Sequence, residues 1–393
     1  MTQYHSKKSH RWPLLDCLRA TAALLVLFAH SRDFYFPNFD KLVGPHGAFL
    51  TLFYFITDLG DEAVVIFFVL SGFLVGGSLV ESAQRGSFDL AHYLVARFTR
   101  IYVVYLPALA ITQAIFWFGS ILLNDAEDGA LTRHQELDFG GVSQAVCDLS
   151  GLQGFSCRAW EQNPALWSLG FEWALYLFAP AIILLILWKA SPGLRLTAIA
   201  LVCSIAATLC TYPSRAVFFF STWYLGVGAR RILRAGLVPL ALGFFGVGLL
   251  ILGLILRHVK AVGQFEAGAF VAVGTAIAIA CRPLAAFPFA PRFFSWAAGF
   301  SYTLYAVHLP IVFLIVAIFQ SFGFPRAEMA PSPASFTEFW TTIAICLSAA
   351  FLVSLVFESR TEQVRAALLR RCSHRAAPPA PARAERPTEI AWK

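Results

Sequence analysis

The sequence predicts an all-α polytopic membrane protein with about ten transmembrane helices, and three observations carry that prediction. The chain has 393 residues, of which 58% are hydrophobic and only 13% charged, whereas soluble domains carry ~25% charged residues. Apolar runs of roughly 20 residues, enough to cross a hydrocarbon core, alternate with short polar stretches. Lysine and arginine gather in every second loop, the asymmetry that keeps basic loops on the cytoplasmic side. The runs fall at 13–31, 62–80, 100–122, 166–188, 195–212, 215–230, 236–256, 266–284, 294–318 and 338–358. With both termini cytoplasmic, Arg85, Arg97, Arg100, Lys189, Arg230, Arg231, Arg234 and Arg282 lie inside. An even number of crossings preserves that bias.

The pI of 9.1 therefore reports orientation and not a nucleic-acid partner. Lys7, Lys8 and Arg11 precede the first run, but no small-residue cleavage site follows it, so it is expected to remain as a helix. Residues 1–371 read as one membrane domain. Residues 372–393, rich in Ala, Pro and Arg, read as a disordered cytoplasmic tail. The eight cysteines show no metal-ligand spacing and no metal is expected. Cys147 and Cys157 stand in a polar outer loop, 124–163, where an oxidising compartment would allow a bridge.

Taken in order, the first run places Arg19 and His30 eleven residues apart. At ~100° per residue they share one helix face, about 16 Å apart along the axis. Ionisable groups on a membrane helix are costly and point to function, although interfacial anchoring of both is the plain alternative. Asp16 is spaced to pair with Arg19. The second run opens with Asp61 and Glu62 and is interrupted by Ser71-Gly72, either a packing notch or a place for a ligand to approach. Arg97 and Arg100 open the third run on one face. They are topology anchors or a phosphate clamp, since the guanidinium fork matches phosphate oxygens. Tyr102 and Tyr105 beside them suit an interfacial belt. The fourth run places Glu172 among apolar residues, one turn after Trp167 and Ser168, where a carboxylate needs a partner. In the ninth, Ser301, Tyr305 and His308 form a polar stripe. Glu358 ends the tenth as an ordinary interface charge.

These pieces, in this order, resemble the bacterial membrane acyltransferase-3 family, which includes O-antigen and exopolysaccharide O-acetylases. Leu15-Asp16-Cys17-Leu18-Arg19-Ala20 with His30 matches its opening Arg-x10-His element. Phe67 to Leu74 matches FFVLSGFL. Arg97, Arg100, Ile101 and Tyr105 match an Arg-x-x-Arg stretch. Pro164, Leu166, Trp167, Ser168, Leu169 and Glu172 match PLWSLxxE, and Ser301, Tyr302, Leu304, Tyr305 and His308 match SYxLYxxH. Cys17 stands where relatives usually have Gly, Val104 where the arginine stretch often has Pro, and Val65 where an aspartate often precedes FFVLSG. Many relatives carry an SGNH-type esterase domain, for which this chain is expected to have no room.

The resemblance implies acyl transfer at the bacterial inner membrane, from cytoplasmic acyl-CoA, most simply acetyl-CoA, to a hydroxyl of an extracytoplasmic glycan or lipid-linked sugar. Arg19, Arg97 and Arg100 would hold the CoA phosphates, with Ser71, Tyr302 and Tyr305 along the path of the thioester. His30 would act as general base or as nucleophile, and Glu172 would orient its ring. Trp167, Ser168, Asp61, Glu62 and His308 would meet the acceptor, and Ser301, Tyr302 and His308 could donate to the thioester oxyanion. A secondary transporter also needs buried charge, but the repeated halves common in that class are not visible.

Overall fold

The computed structural model describes residues 12–42, 47–123, 131, 141–286, 292–323 and 331–376. Lys7, Lys8, Arg11, most of the loop from 124 to 140, residues 324–330 and the tail from 377 onward lie outside the described residues. Among those described, regular structure is helical throughout.

Helix α1 (Pro13–Tyr35) is followed by α2 (Ala48–Thr57) and α3 (Gly60–Ser71). α3 runs through a π-helical stretch, Gly72–Gly76, into α4 (Gly77–Gln84). Then come α5 (Leu90–Leu123), α6 (Gly141–Leu149) and, after a 3-10 turn at Pro164–Leu166, α7 (Trp167–Leu187). The chain continues with α8 (Pro192–Thr208), α9 (Pro213–Ala235), α10 (Leu240–His258) and α11 (Gln264–Ala280). It ends with α12 (Arg282–Ala286), α13 (Arg292–Ala298), α14 (Ser301–Ser321), α15 (Pro333–Val356), a 3-10 turn at Glu358–Arg360 and α16 (Thr361–Ala376).

Every predicted apolar run coincides with a helix, and among the described residues seven spans are long and apolar enough to cross a membrane. They are the spans of α1, α3–α4, α5, α7, α10, α14 and α15. Helices α8 and α11 have 17 residues each, about 26 Å at 1.5 Å per residue, short of a ~30 Å core. Helix α9 has the length, but Arg215, Arg230, Arg231 and Arg234 dilute its hydropathy. The predicted run 294–318 is two helices. The chain turns at Gly299, whose N–H donates to Trp296 O at 3.0 Å, and Trp296 and Phe300 both pack on Phe351. The helical tail extends past 371, since α16 reaches Ala376.

Small residues set the centre of the bundle. A Cβ on Gly72 would lie 1.8 Å from Trp223 O, and one on Gly226 2.1 Å from Val69 O. Backbones of α3 and α9 therefore touch, and the Ser-Gly interruption is in part the packing notch that such contacts need. The π-helical stretch begins at this crossing, a common place for such irregularity.

The segment after α6 is tied by a Cys147–Cys157 disulfide with Cα atoms 6.5 Å apart. It lies against α5: Tyr105 donates to Asp148 O at 2.6 Å, Tyr102 donates to Ser150 O, and Gln153 Nε2 donates to Tyr105 Oη at 2.8 Å. Both tyrosines are buried. The structure thus corrects their reading as interfacial belt residues, because their hydroxyls hold a loop that the periodicity of α5 does not reveal. Gly154, with φ at +79°, sits against the Trp167 backbone in a conformation that favours glycine.

Candidate active site

A cavity of about 450 Å³ lies where α1, α3, α5, α7, α14 and the turn into α16 converge, a size usual for small-molecule sites. It brings together Arg19, Ser71, Arg97, Arg100, Ser168, Glu172, Tyr302 and Tyr305, all singled out from the sequence. It adds Tyr176 and Arg365, which were not, and Glu358, expected only as an interface charge.

At one end stand the arginines. Arg100 Nη1 donates to Glu358 Oε1 at 2.9 Å and its guanidinium lies 5.0 Å from the Tyr302 ring centre. Glu358 Oε2 also accepts from Thr303 N at 3.1 Å and Thr303 Oγ1 at 2.6 Å. Glu358 is therefore no ordinary interface charge; its side chain is 7% exposed and fully bonded. The sequence hint was its distance from the Arg-x-x-Arg element in the chain, which only folding closes. Arg97 rests against the rings of Tyr93 and Tyr176. Among the described residues neither Arg97 nor Arg19 has an ion-pair partner, and the expected Asp16–Arg19 pair does not form. These two half-buried cations face the cavity with their charge unspent.

Midway, Ser71 Oγ donates to Glu172 Oε1 at 2.9 Å, and Tyr176, one turn on along α7, donates to the same oxygen. Trp223 Nε1 donates to Ser71 Oγ at 3.2 Å. Glu172 thus bonds to hydroxyls and not to His30, the ring it was expected to orient, because it points across to the π-helical stretch of the α3–α4 span. Ser301 donates to Ala298 O at 3.0 Å and Tyr302 to Ile101 O at 3.1 Å. Their hydroxyls are committed to the backbone, not held free for an oxyanion as expected. Tyr305 donates to Ala165 O at 2.7 Å, and Ser168 Oγ is 2.6 Å from its hydroxyl.

His30 and His308 do not line this cavity. Their ring centres are 5.3 Å apart, behind Tyr305, whose ring is 6.0 Å from that of His308 and 6.0 Å from that of Phe67. His308 is 1% exposed. Its Nδ1–H donates to Tyr305 O at 2.8 Å and Leu304 O at 3.1 Å, which leaves Nε2 as a buried lone pair without a partner. Such an orphan acceptor is rare in a protein interior.

A second, smaller cavity of about 100 Å³ is lined by Asp61, Glu62, Trp167, Arg215 and Gln264 among others. Asp61 accepts from Gln264 Nε2 at 2.8 Å. Glu62 is 1% exposed, and neither of its oxygens accepts a hydrogen bond; Arg257 Nε stands 3.5 Å away. Arg215 lies over the rings of Trp167 and Tyr212. Trp167, Asp61 and Glu62 thus group together, apart from Ser168.

The sequence of residues 12–359 matches the acyltransferase-3 family, described as an acyltransferase domain. The chain belongs to that family. The seven apolar spans among the described residues suit a multi-pass membrane member of that family. Over 122 residues it is 32% identical to an uncharacterized protein of Haemophilus influenzae, a match covering 30% of this chain and 48% of that one, about half its length. Over 171 residues it is 29% identical to "Protein 2 in picA locus" of Rhizobium radiobacter, covering 44% of this chain and 74% of that one. No solved structure matches.

Proposed function

We propose that this protein transfers an acyl group, acetyl in the first instance, from cytoplasmic acyl-CoA to a hydroxyl of an extracytoplasmic glycan or lipid-linked sugar. In this reading residues 1–371 form one domain that crosses the bacterial inner membrane ten times, α8, α9 and α11 included, with both termini and the Arg19 end of the cavity facing the cytoplasm. The observation that carries the reading is one helix, α1. It presents an unpaired arginine to a cationic cavity and, on the same face, an imidazole beside the lone pair of His308.

Arg19, Arg97 and Arg100 bind the phosphates, as charge-assisted forks. Ser71, Glu172 and Tyr176 flank the arm that carries the thioester. The thioester reaches His30 by way of Tyr305, whose ring packs on Phe67 at the cavity and on His308. His30 acts as general base: it takes the proton of the acceptor hydroxyl as the new C–O bond forms. The C–S bond breaks, and the proton passes to the departing thiolate. Asp61, Glu62, Trp167 and Arg215 hold the acceptor on the far side. His30→Ala is expected to abolish transfer, by at least ~100-fold, while the protein still inserts in the membrane. Mass spectrometry of surface glycans from cells with the wild type, the variant or neither checks this; unchanged acylation by a well-expressed variant overturns it. A trapped acyl group on His30 would mark it as nucleophile instead.

A further inference from the structure

We infer that α16, which lies beyond the family match, closes the mouth of the donor cavity, and that Arg365 exchanges Glu362 for the phosphates of the donor. This rests on the reading of the cavity as an acyl-CoA site.

The match ends at residue 359, yet Thr361, Glu362 and Arg365 line the same cavity as Arg19, Arg97 and Arg100. The chain is directed there by bonds already described. Glu358, held by Arg100 and Thr303, fixes the 3-10 turn, and Thr361 Oγ1 donates to Glu358 O at 2.8 Å. From that point α16 packs along α5. The position of its first turn is therefore set by a half-buried ion pair and not by surface contact alone.

The charges at the mouth are unequally matched. Arg100 is neutralised by Glu358, and Arg365 by Glu362 three residues earlier on α16. Arg19 and Arg97 have no ion-pair partner among the described residues, and Arg97 and Arg365 repel one another. The Arg365 side chain is 25% exposed, whereas that of Glu362 is 76% exposed. Such a solvent-exposed pair is weak. A phosphate placed between Arg97 and Arg365 replaces that weak partner and removes the repulsion at the same time. Glu362 is thus a placeholder anion on a helix that acts as one wall of the donor site, and Arg365 is a specificity-determining residue for a phosphate-bearing donor.

The two members of the pair are predicted to act with opposite sign. In the purified full-length protein in nanodiscs, titrated with CoA at fixed ionic strength, Arg365→Ala is expected to weaken binding roughly tenfold. Arg365→Lys, which keeps the charge without the fork, recovers part of that loss. Glu362→Gln is expected to tighten CoA binding about threefold, and its exposure leaves the fold intact. If both Arg365→Ala and Glu362→Gln weaken binding alike, the pair is only a helix contact and the inference is overturned. If Arg365→Ala binds CoA normally while Arg97→Ala does not, α16 is no part of the site although the donor reading stands. If neither Arg97→Ala nor Arg365→Ala alters CoA affinity, the donor reading itself fails and takes this one with it.

Discussion

The two cavities are electrostatic opposites. In the larger one the carboxylates are satisfied, Glu172 by two hydroxyls and Glu358 by Arg100 and Thr303, while Arg19 and Arg97 are left without an ion-pair partner among the described residues. In the smaller one Arg215 is occupied by aromatic faces, while the buried Glu62 carboxylate accepts no hydrogen bond and has only Arg257 Nε, outside the cavity lining, at 3.5 Å. An unspent cation calls for an anion, and an unspent carboxylate calls for a hydrogen-bond donor. One cavity thus offers charge to an anion and the other offers an acceptor to a hydrogen-bond donor. The difference is informative because fold alone does not imply function, whereas groups left short of partners mark where a ligand of complementary chemistry would bind.

The strongest way to break this contrast is Arg97→Ala. Loss of one charge-assisted contact to phosphate costs about 2 kcal/mol, on the order of thirtyfold in affinity. Donor affinity should fall by that factor, and by more at low salt than at high, since a half-exposed cation is screened. Acceptor KM should hardly move. Glu62→Gln is the mirror test with a smaller effect. It removes the charge while keeping the volume, and acceptor KM is expected to rise about fivefold, ~1 kcal/mol, with CoA affinity unaltered. Should Glu62→Gln weaken CoA as much as Arg97→Ala does, the two ends are one site and the contrast is lost. Steady-state kinetics with either substrate varied, beside CoA titration, separates the cases.

Much of the cationic end was legible in the sequence, and little of its bonding was. Arg19, Arg97, Arg100 and Glu172 stand out because charge in an apolar run is expensive, so each announces itself without a structure. The helices under all ten runs were legible for the same reason. What was not legible depends on partners far apart in the chain. Glu358 meets Arg100 across 258 residues and Ser71 meets Glu172 across 101, and no periodicity reports such distances. Tyr176 looks like one more aromatic in an aromatic helix until its hydroxyl is seen on Glu172. Gly72 could be read as a notch, but only the Trp223 carbonyl oxygen, which a Cβ there would meet at 1.8 Å, shows what fills it. The contact of Tyr305 with Phe67 was invisible as well, since the polar stripe that carries Tyr305 does not report which helix it meets.

The smallest effect tests the scaffold that holds the two ends apart. Asp148, on α6 outside the membrane spans, is pushed up to about 6 by burial, against the hydrogen bond from Gln144 Nε2 at 2.9 Å. Below its ordinary carboxylate range Asp148 is protonated in both folded and unfolded chains and contributes nothing. As pH rises, the unfolded chain releases its proton first while the folded protein still holds it. Stability is therefore lost between the ordinary value and about 6, and the loss is complete above that. Asp148→Asn removes the penalty. It should stabilise the protein at pH 7.5 by about 1 kcal/mol, allowing for solvent screening of a half-buried group, and far less at pH 4. Thermal unfolding at the two pH values checks this, and an equal gain at both would refute it. Only the backbone carbonyl of Asp148 reaches Tyr105, so CoA affinity should stay constant while stability shifts. A change in affinity would mean that the disulfide-tied segment forms part of the donor site and is not merely the frame around it.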